Sequence, residues 1–187
     1  LHLLQGGASV ALVDAGENAG TWANAGSLHV QMQSRFMRLY PAQVPAVEAS
    51  LPLYKAAAEE WMRLDALYGP FELVRKGGLM LAEGTDQLRF LEAKARREEA
   101  QGLSVDILDR AALDRVAPWL GDQIVGAELC HDEGKLNPLI ANARLMAEAA
   151  RLGLTVIRDR IVTVVAQGKG VTAQGRAATY AADQVVV

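Results

Sequence analysis

Asp14 is the first residue of this 187-residue chain placed to do chemistry. It ends the apolar run Ala8-Ser9-Val10-Ala11-Leu12-Val13, and a loop rich in Gly, Ala and Asn follows it. Val, Leu and Ala in unbroken succession suit a strand buried on both faces, as in a parallel sheet covered by helices. A carboxylate at the carboxyl end of such a strand can accept hydrogen bonds from the ribose hydroxyls of a dinucleotide. The plainer alternative is that Asp14 opens a turn before Gly16. Three scattered histidines and one cysteine give no metal-ligand spacing.

Composition narrows the class. Hydrophobic residues at 51% and charged residues at 22% are the proportions of a globular chain rather than a disordered one. A net charge of -3 lacks the basic excess of a nucleic-acid binder. No apolar run approaches the roughly 20 residues that span a bilayer. The single cysteine, Cys130, excludes an internal disulfide framework and fits a reducing compartment, so a cytoplasmic location is expected. The chain opens Leu1-His2-Leu3-Leu4-Gln5-Gly6-Gly7, like the last turns of a helix with a Gly cap, and closes on the apolar residues 185–187. Both ends point to a piece of a longer polypeptide.

The elements that must position Asp14 can be taken in order. Residues 30–45 show no clean period. Ser50 suits a helix N-cap with Pro52 in the first turn, and Leu53, Ala57, Trp61, Leu64 and Leu67 recur at helical spacing up to Gly69-Pro70. Residues 71–75 and 79–82 flank Lys76-Gly77-Gly78 and predict a hairpin. Thr85 can cap a helix that Gly102 stops, with Arg96, Arg97, Glu98 and Glu99 as a solvated surface. A strand over 104–108, a short helix capped by Asp109, a strand over 124–130 and a turn at 131–134 follow. Asn137-Pro138 is a strong helix start, Asn as cap and Pro at the first helical position. Strands over 154–157, 161–166, 171–174 and 177–181 come next, the last three forming a meander, with a buried strand over 185–187.

This order of elements, with its local signatures, resembles the FAD-dependent oxidoreductases of the D-amino acid oxidase family. That family includes glycine and sarcosine oxidases and D-amino acid dehydrogenases. Four features carry the likeness. Residues 7–14 resemble the second strand of the FAD domain with its ribose-binding acid, where Glu is commoner than Asp. Gly20-Thr21-Trp22-Ala23-Asn24-Ala25-Gly26-Ser27 is similar to the family loop with a hydroxyl residue followed by Asn-Ala-Gly. Gly134-Lys135-Leu136-Asn137-Pro138 resembles the return from substrate domain to FAD domain. Residues 153–165 are similar to the strand pair whose backbone meets adenine, Val162 matching the family's Val. Lys76-Gly77-Gly78 and Val116-Ala117-Pro118 also fit, although Ala117 stands where Glu is usual.

The resemblance implies an α/β fold: a Rossmann-like FAD/NAD(P)-binding domain with a β-meander, plus part of a mixed α+β substrate domain, truncated at both ends. The FAD-binding parts would be residues 1–45 and 136–187, and the substrate-domain part residues 46–135. It implies a flavoprotein with FAD held by Asp14, Thr21, Trp22, Asn24, Ala25, Gly26, Ser27 and the backbone of Val162. Small residues let the loop backbone approach the cofactor, and its N–H groups and the Thr21 hydroxyl can donate to phosphate. An ordinary Gly-rich surface loop is the alternative. His29 follows the cofactor loop and could line the substrate site; since nothing in the sequence pairs it with an acid, a structural role is the plainer alternative. Arg35 and Arg38 could meet a substrate carboxylate or simply form surface ion pairs. His131 and Cys130 are expected to be structural.

The expected activity is oxidation of the C–N bond of an amino acid or secondary-amine acid, with hydride passing to the flavin; the cofactor carries the difficult step. Catalytic residues are not identified. The G-x-G-x-x-G turn and a late flavin-holding segment are missing from the chain, so this piece alone is expected to bind FAD weakly and to be inactive. Expected partners are a small amine substrate, no nucleic acid and no metal. A peripheral contact with the inner membrane or a partner subunit for electron transfer stays open. Two alternatives stand beside this activity. One is a flavoprotein dehydrogenase acting on a 2-hydroxy acid or glycerol-3-phosphate; the other is a non-catalytic subunit with the FAD fold.

Overall fold

The computed structural model describes residues 1–17 and 20–186, and the side chains of Thr21 and Trp22 lie outside that description. In chain order, the first elements are α1 (His2–Gln5), β1 (Ala11–Asp14), α2 (Gly20–Ala23), β2 (Ser27–Leu28) and α3 (Ser34–Leu39). A 3-10 turn at Pro41–Gln43 leads into α4 (Val44–Tyr68), then β3 (Gly78–Ala82), α5 (Thr85–Ala100), β4 (Val105–Asp109) and α6 (Arg110–Val116). The chain continues through β5 (Gly126–Cys130), β6 (Gly134–Lys135), α7 (Pro138–Arg151) and β7 (Thr155–Arg158). It ends with β8 (Ile161–Gln167), β9 (Gly170–Gly175) and β10 (Thr179–Ala182). By internal packing it divides into two units, Leu1–Asn24 with Asn142–Val187, and Ala25–Ala141.

The first unit holds a parallel pair, β1 with β7, in which Asp14 stands opposite Arg158. Beside it β10, β9 and β8 form the expected antiparallel meander. Asp159 ties that meander down: its carboxylate accepts from the Tyr180 hydroxyl at 2.7 Å and from the N–H groups of Arg160, Arg176, Ala177 and Ala178. The Tyr180 hydroxyl, with those N–H groups, holds the Asp159 carboxyl below the usual aspartate range. Two expectations fail here. β1 is not buried on both faces: Leu12 is exposed, because β7 is its one strand neighbour among the described residues. Residues 184–186 form no strand and are exposed, and Val187 lies outside the described residues.

The second unit is built on the antiparallel sheet β3-β5-β4, with α5 packed against all three strands. Val30, Met32, Val44, Leu51, Ala95 and Cys130 belong to its core. Helix α4 begins at Val44, six residues before the expected cap, because Pro45 suits the first turn, where an N–H is not needed. Ser50 instead donates from Oγ to the Ala46 carbonyl at 3.0 Å inside the helix. The buried stripe therefore runs Val44, Leu51, Ala58 and Leu64, leaving Leu53 and Leu67 exposed. The expected hairpin is absent: β3 pairs with β5 and Val74 bridges to Lys135, so long-range partners override the Gly77-Gly78 turn signal. Thr85 starts α5 without capping it, while Gly102 leaves it at φ +87 as expected.

Helix α7 begins as its sequence requires. Asn137 Oδ1 accepts from the N–H of Leu139 at 3.1 Å and of Ile140 at 3.4 Å, and Gly153 beyond the helix takes φ +92. Asp109 likewise caps α6, accepting from the Ala112 N–H at 2.7 Å.

Candidate functional site

In the first unit, Asp14 ends β1 with its carboxylate half exposed. Arg158 Nη1 approaches Asp14 Oδ2 at 3.5 Å, and Arg160 reaches Glu17 at 2.5 Å. Gly16 follows at φ +69, and a Cβ there would lie 1.6 Å from the Arg158 guanidinium. The Arg158 guanidinium thus lies over Gly16, in space that a side chain at residue 16 would need, beside the Asp14 carboxylate. Val162 is the extra residue of a β-bulge: β8 pairs with β9 at Ile161 and Thr163, and Val162 drops out of the register. A bulge takes backbone groups out of the ladder, which suits a residue expected to act through its N–H and C=O. A half-exposed carboxylate at a strand end and an out-of-register peptide are groups that could accept from a ribose and meet an adenine.

The loop residues divide between the units. Thr21 and Trp22 sit in α2, their side chains outside the described residues, and Asn24 is exposed in the same unit. Ala25, Gly26, Ser27 and His29 belong to the second unit. Gly26 is buried at φ +71, and its carbonyl accepts from the Leu136 N–H at 2.9 Å. A Cβ at residue 26 would lie 2.0 Å from the Leu136 carbonyl, so this step requires glycine for both conformation and room. Ser27 then pairs with Lys135 and Leu28 with Gly134, antiparallel.

Beyond β2, the chain is held by two buried acids that sequence reasoning left in a turn and on a surface. Glu133 Oε1 accepts from the N–H of Val30 at 2.9 Å and of Gln31 at 3.1 Å, and lies 3.4 Å from His29 Nδ1. Its Oε2 accepts from Gln31 Nε2 at 3.0 Å. Glu98 Oε1 accepts from the Met32 N–H at 2.6 Å. Glu98 is fully buried, which corrects its reading as solvated. It pairs with Lys94 at 2.8 Å, and Lys94 pairs with Glu128 at 2.7 Å, all three side chains buried. Lys94 also donates to Gln31 Oε1 at 3.1 Å, so the network runs from His29 through Glu133 and Gln31 to the buried triad. Burial above all, with Glu98 beside it, pushes the Glu128 carboxyl up to about 8 despite Lys94.

Two signals for this network were available. Lys94 and Glu98 stand four apart on one helix, and Glu128 interrupts an otherwise apolar strand. The partnership of His29 with Glu133, 104 residues away, had no local signal. His29 borders a cavity of about 280 Å3 lined by Val30, Met32, Phe36, Val47 and Tyr54 among others.

Arg38, His131 and Cys130 have structural surroundings. Arg38 lies 4.7 Å from the centre of the Phe90 ring, a cation–π contact. His131 meets Asp106 at 2.8 Å on the surface. Burial pushes the Cys130 thiol up to about 12, which leaves it unreactive. Among the described residues no cluster of His, Cys, Asp and Glu can hold a metal, and no helix is long and apolar enough to cross a membrane.

Among solved structures, the chain superposes on L-proline dehydrogenase from P. horikoshii with a TM-score of 0.77 at 15% identity, covering 95% of this chain and 45% of that one. Glycine oxidase from Geobacillus kaustophilus matches with a TM-score of 0.70 at 24% identity, covering 97% and 48%. L-alpha-glycerophosphate oxidase from Mycoplasma pneumoniae, a structure with FAD bound, gives 0.69 at 15% identity, covering 89% and 43%. These likenesses show the fold, and the chain spans less than half the length of each. A comparison with curated proteins finds no match. The DAO family, described as FAD dependent oxidoreductase, matches residues 1–187 from end to end. The chain therefore belongs to the DAO family of FAD-dependent oxidoreductases.

Proposed function

We propose that the protein carrying this chain oxidises the C–N bond of an amino acid or secondary-amine acid to an imine. FAD, when bound, supplies the acceptor for the hydride. In this reading Asp14, at the end of β1, accepts hydrogen bonds from the adenosine ribose hydroxyls. The bulged peptide at Val162 meets the adenine. Thr21, Trp22, Asn24, Ala25, Gly26 and Ser27 line the pyrophosphate and the flavin edge, with Gly26 keeping the backbone close. His29 lines the substrate site.

The observation that carries the amine reading is the pairing of His29 with a buried carboxylate beside an apolar cavity, two residues beyond this loop. An imidazole so held can meet a small amine whose carbon skeleton needs apolar walls. That glycine oxidase and L-proline dehydrogenase are among the structural neighbours supports the same class of substrate. The neighbour named L-alpha-glycerophosphate oxidase favours a second reading, oxidation of a phosphorylated alcohol. Among the described residues, the cavity lining contains no Lys or Arg for the phosphate or carboxylate of either substrate, so the amine reading is preferred on His29 and its buried partner.

Product analysis separates the two. The full-length protein, incubated aerobically or with an artificial electron acceptor, should release a 2-oxo acid with ammonia or a primary amine from at least one of glycine, sarcosine, proline or a panel of D- and L-amino acids. Turnover of glycerol phosphate alone would replace the amine reading with the second.

A further inference from the structure

His29 stands at the cavity with its side chain 66% exposed, whereas that of its partner Glu133 is 5% exposed. Glu133 is not free to turn away, because the N–H groups of Val30 and Gln31 and the amide of Gln31 fix both its oxygens. An ionised carboxylate only accepts, so the ring nitrogen facing it carries the proton. That nitrogen is Nδ1, and Nε2, across the ring, keeps its lone pair. A buried acid holding one imidazole tautomer beside a cavity is the arrangement of an oriented base. A surface histidine needs neither the acid nor the cavity.

We propose that His29 takes the proton from the substrate's ammonium group, with Glu133 as the positioning residue that sets its tautomer. The proposal rests on the amine reading above. An α-amino acid arrives protonated on nitrogen, and its Cα–H bond cannot release a hydride until the nitrogen lone pair is free. In the step assigned to His29, one substrate N–H bond breaks and its electron pair stays on nitrogen. The proton bonds to Nε2, and the imidazolium so formed faces the Glu133 carboxylate. Its exposed side then returns the proton to water. The charged and titratable groups around His29 are Glu133 from the turn before β6, Tyr54 of α4 across the cavity, and, behind Gln31, Lys94 and Glu98 of α5 with Glu128 of β5.

The test uses the full-length, flavin-loaded protein and a reactive amino acid. Under anaerobic conditions His29→Asn should slow flavin reduction at pH 7 by about a hundredfold or more. It should also change the pH dependence of flavin reduction, leaving a rate that follows the substrate's own amine. Binding of a non-oxidisable carboxylate analogue, read as a flavin spectral shift, should change less than about twofold on the scale of these effects. Independently of turnover, 15N NMR of the imidazole should show Nδ1 protonated in the neutral wild-type ring and lose that preference in Glu133→Gln. A wild-type rate and pH profile in His29→Asn, or an Nε2-protonated wild-type ring, overturns the proposal. If no amino acid reduces the wild-type flavin, the amine reading fails and this role of His29 with it, while the NMR result still reports on the pair.

Discussion

Replacing Glu128 with Gln should flatten part of the pH dependence of stability. The Glu128 side chain is fully buried with Lys94 at 2.7 Å and Glu98 beside it. Glu98 Oε2 and Glu128 Oε1 have no partner among the described residues, and one ammonium cannot balance two carboxylates. One carboxyl is therefore held protonated, and burial, helped by Glu98, raises that of Glu128 from 4.5 to about 8. Between those values the native state keeps a proton that the unfolded chain has released. Stability from this group is full below 4.5, falls by about 1.4 kcal/mol per pH unit as the pH rises, and is lost above 8. Sharing of charge among the three groups reduces the total to the order of 2–3 kcal/mol.

Gln keeps the shape of the protonated acid and cannot titrate, so other carboxylates cancel in the difference between the two proteins. Urea denaturation from pH 5 to pH 9 measures that difference. Glu128→Gln should gain on the wild type by the order of 2–3 kcal/mol across the range, most of it below pH 8. Parallel stability curves would show that Glu128 is ionised throughout, and would refute the account of the triad.

Three further outcomes follow from the same geometry. Lys94→Met should cost about 3–5 kcal/mol in denaturation at pH 7, because it leaves the buried Glu98 carboxylate without its cation. Asp14→Ala in the full-length protein should weaken FAD binding by about tenfold or more in a fluorescence titration of the apoprotein, since a charged acceptor of hydrogen bonds is lost. Gly26→Ala should destabilise the second unit by more than about 1 kcal/mol, seen as a lower denaturation midpoint, because the added Cβ meets the Leu136 carbonyl at a positive φ.

Much of the fold was legible because its signals are local. Asn137-Pro138, Asp109 and the glycines at 102 and 153 mark helix ends through backbone chemistry confined to a few residues. The short strands after Gly153 announced the meander in the same way. Apart from the caps expected at Ser50 and Thr85, the misses are long-range. Gly77-Gly78 was a good turn signal, yet β3 found β5 nearly fifty residues on. Leu12 and residues 184–186 have the composition of buried strands, but burial depends on neighbours that composition does not specify. In the candidate site, Asp14 and the bulged Val162 could be placed by motif, because backbone geometry at a strand end is local. Glu133 could not: its meaning comes from His29, Val30 and Gln31, more than a hundred residues earlier.

Anaerobic mixing tests most directly whether the protein carrying this chain is a flavoenzyme acting on amines. The full-length protein, purified with its FAD and freed of oxygen, should lose its flavin absorbance band on addition of an amino acid or secondary-amine acid. Glycine, sarcosine, proline and the D- and L-amino acids are the panel. Retention of the oxidised band with every amine, together with bleaching by glycerol phosphate or a 2-hydroxy acid, would contradict that reading.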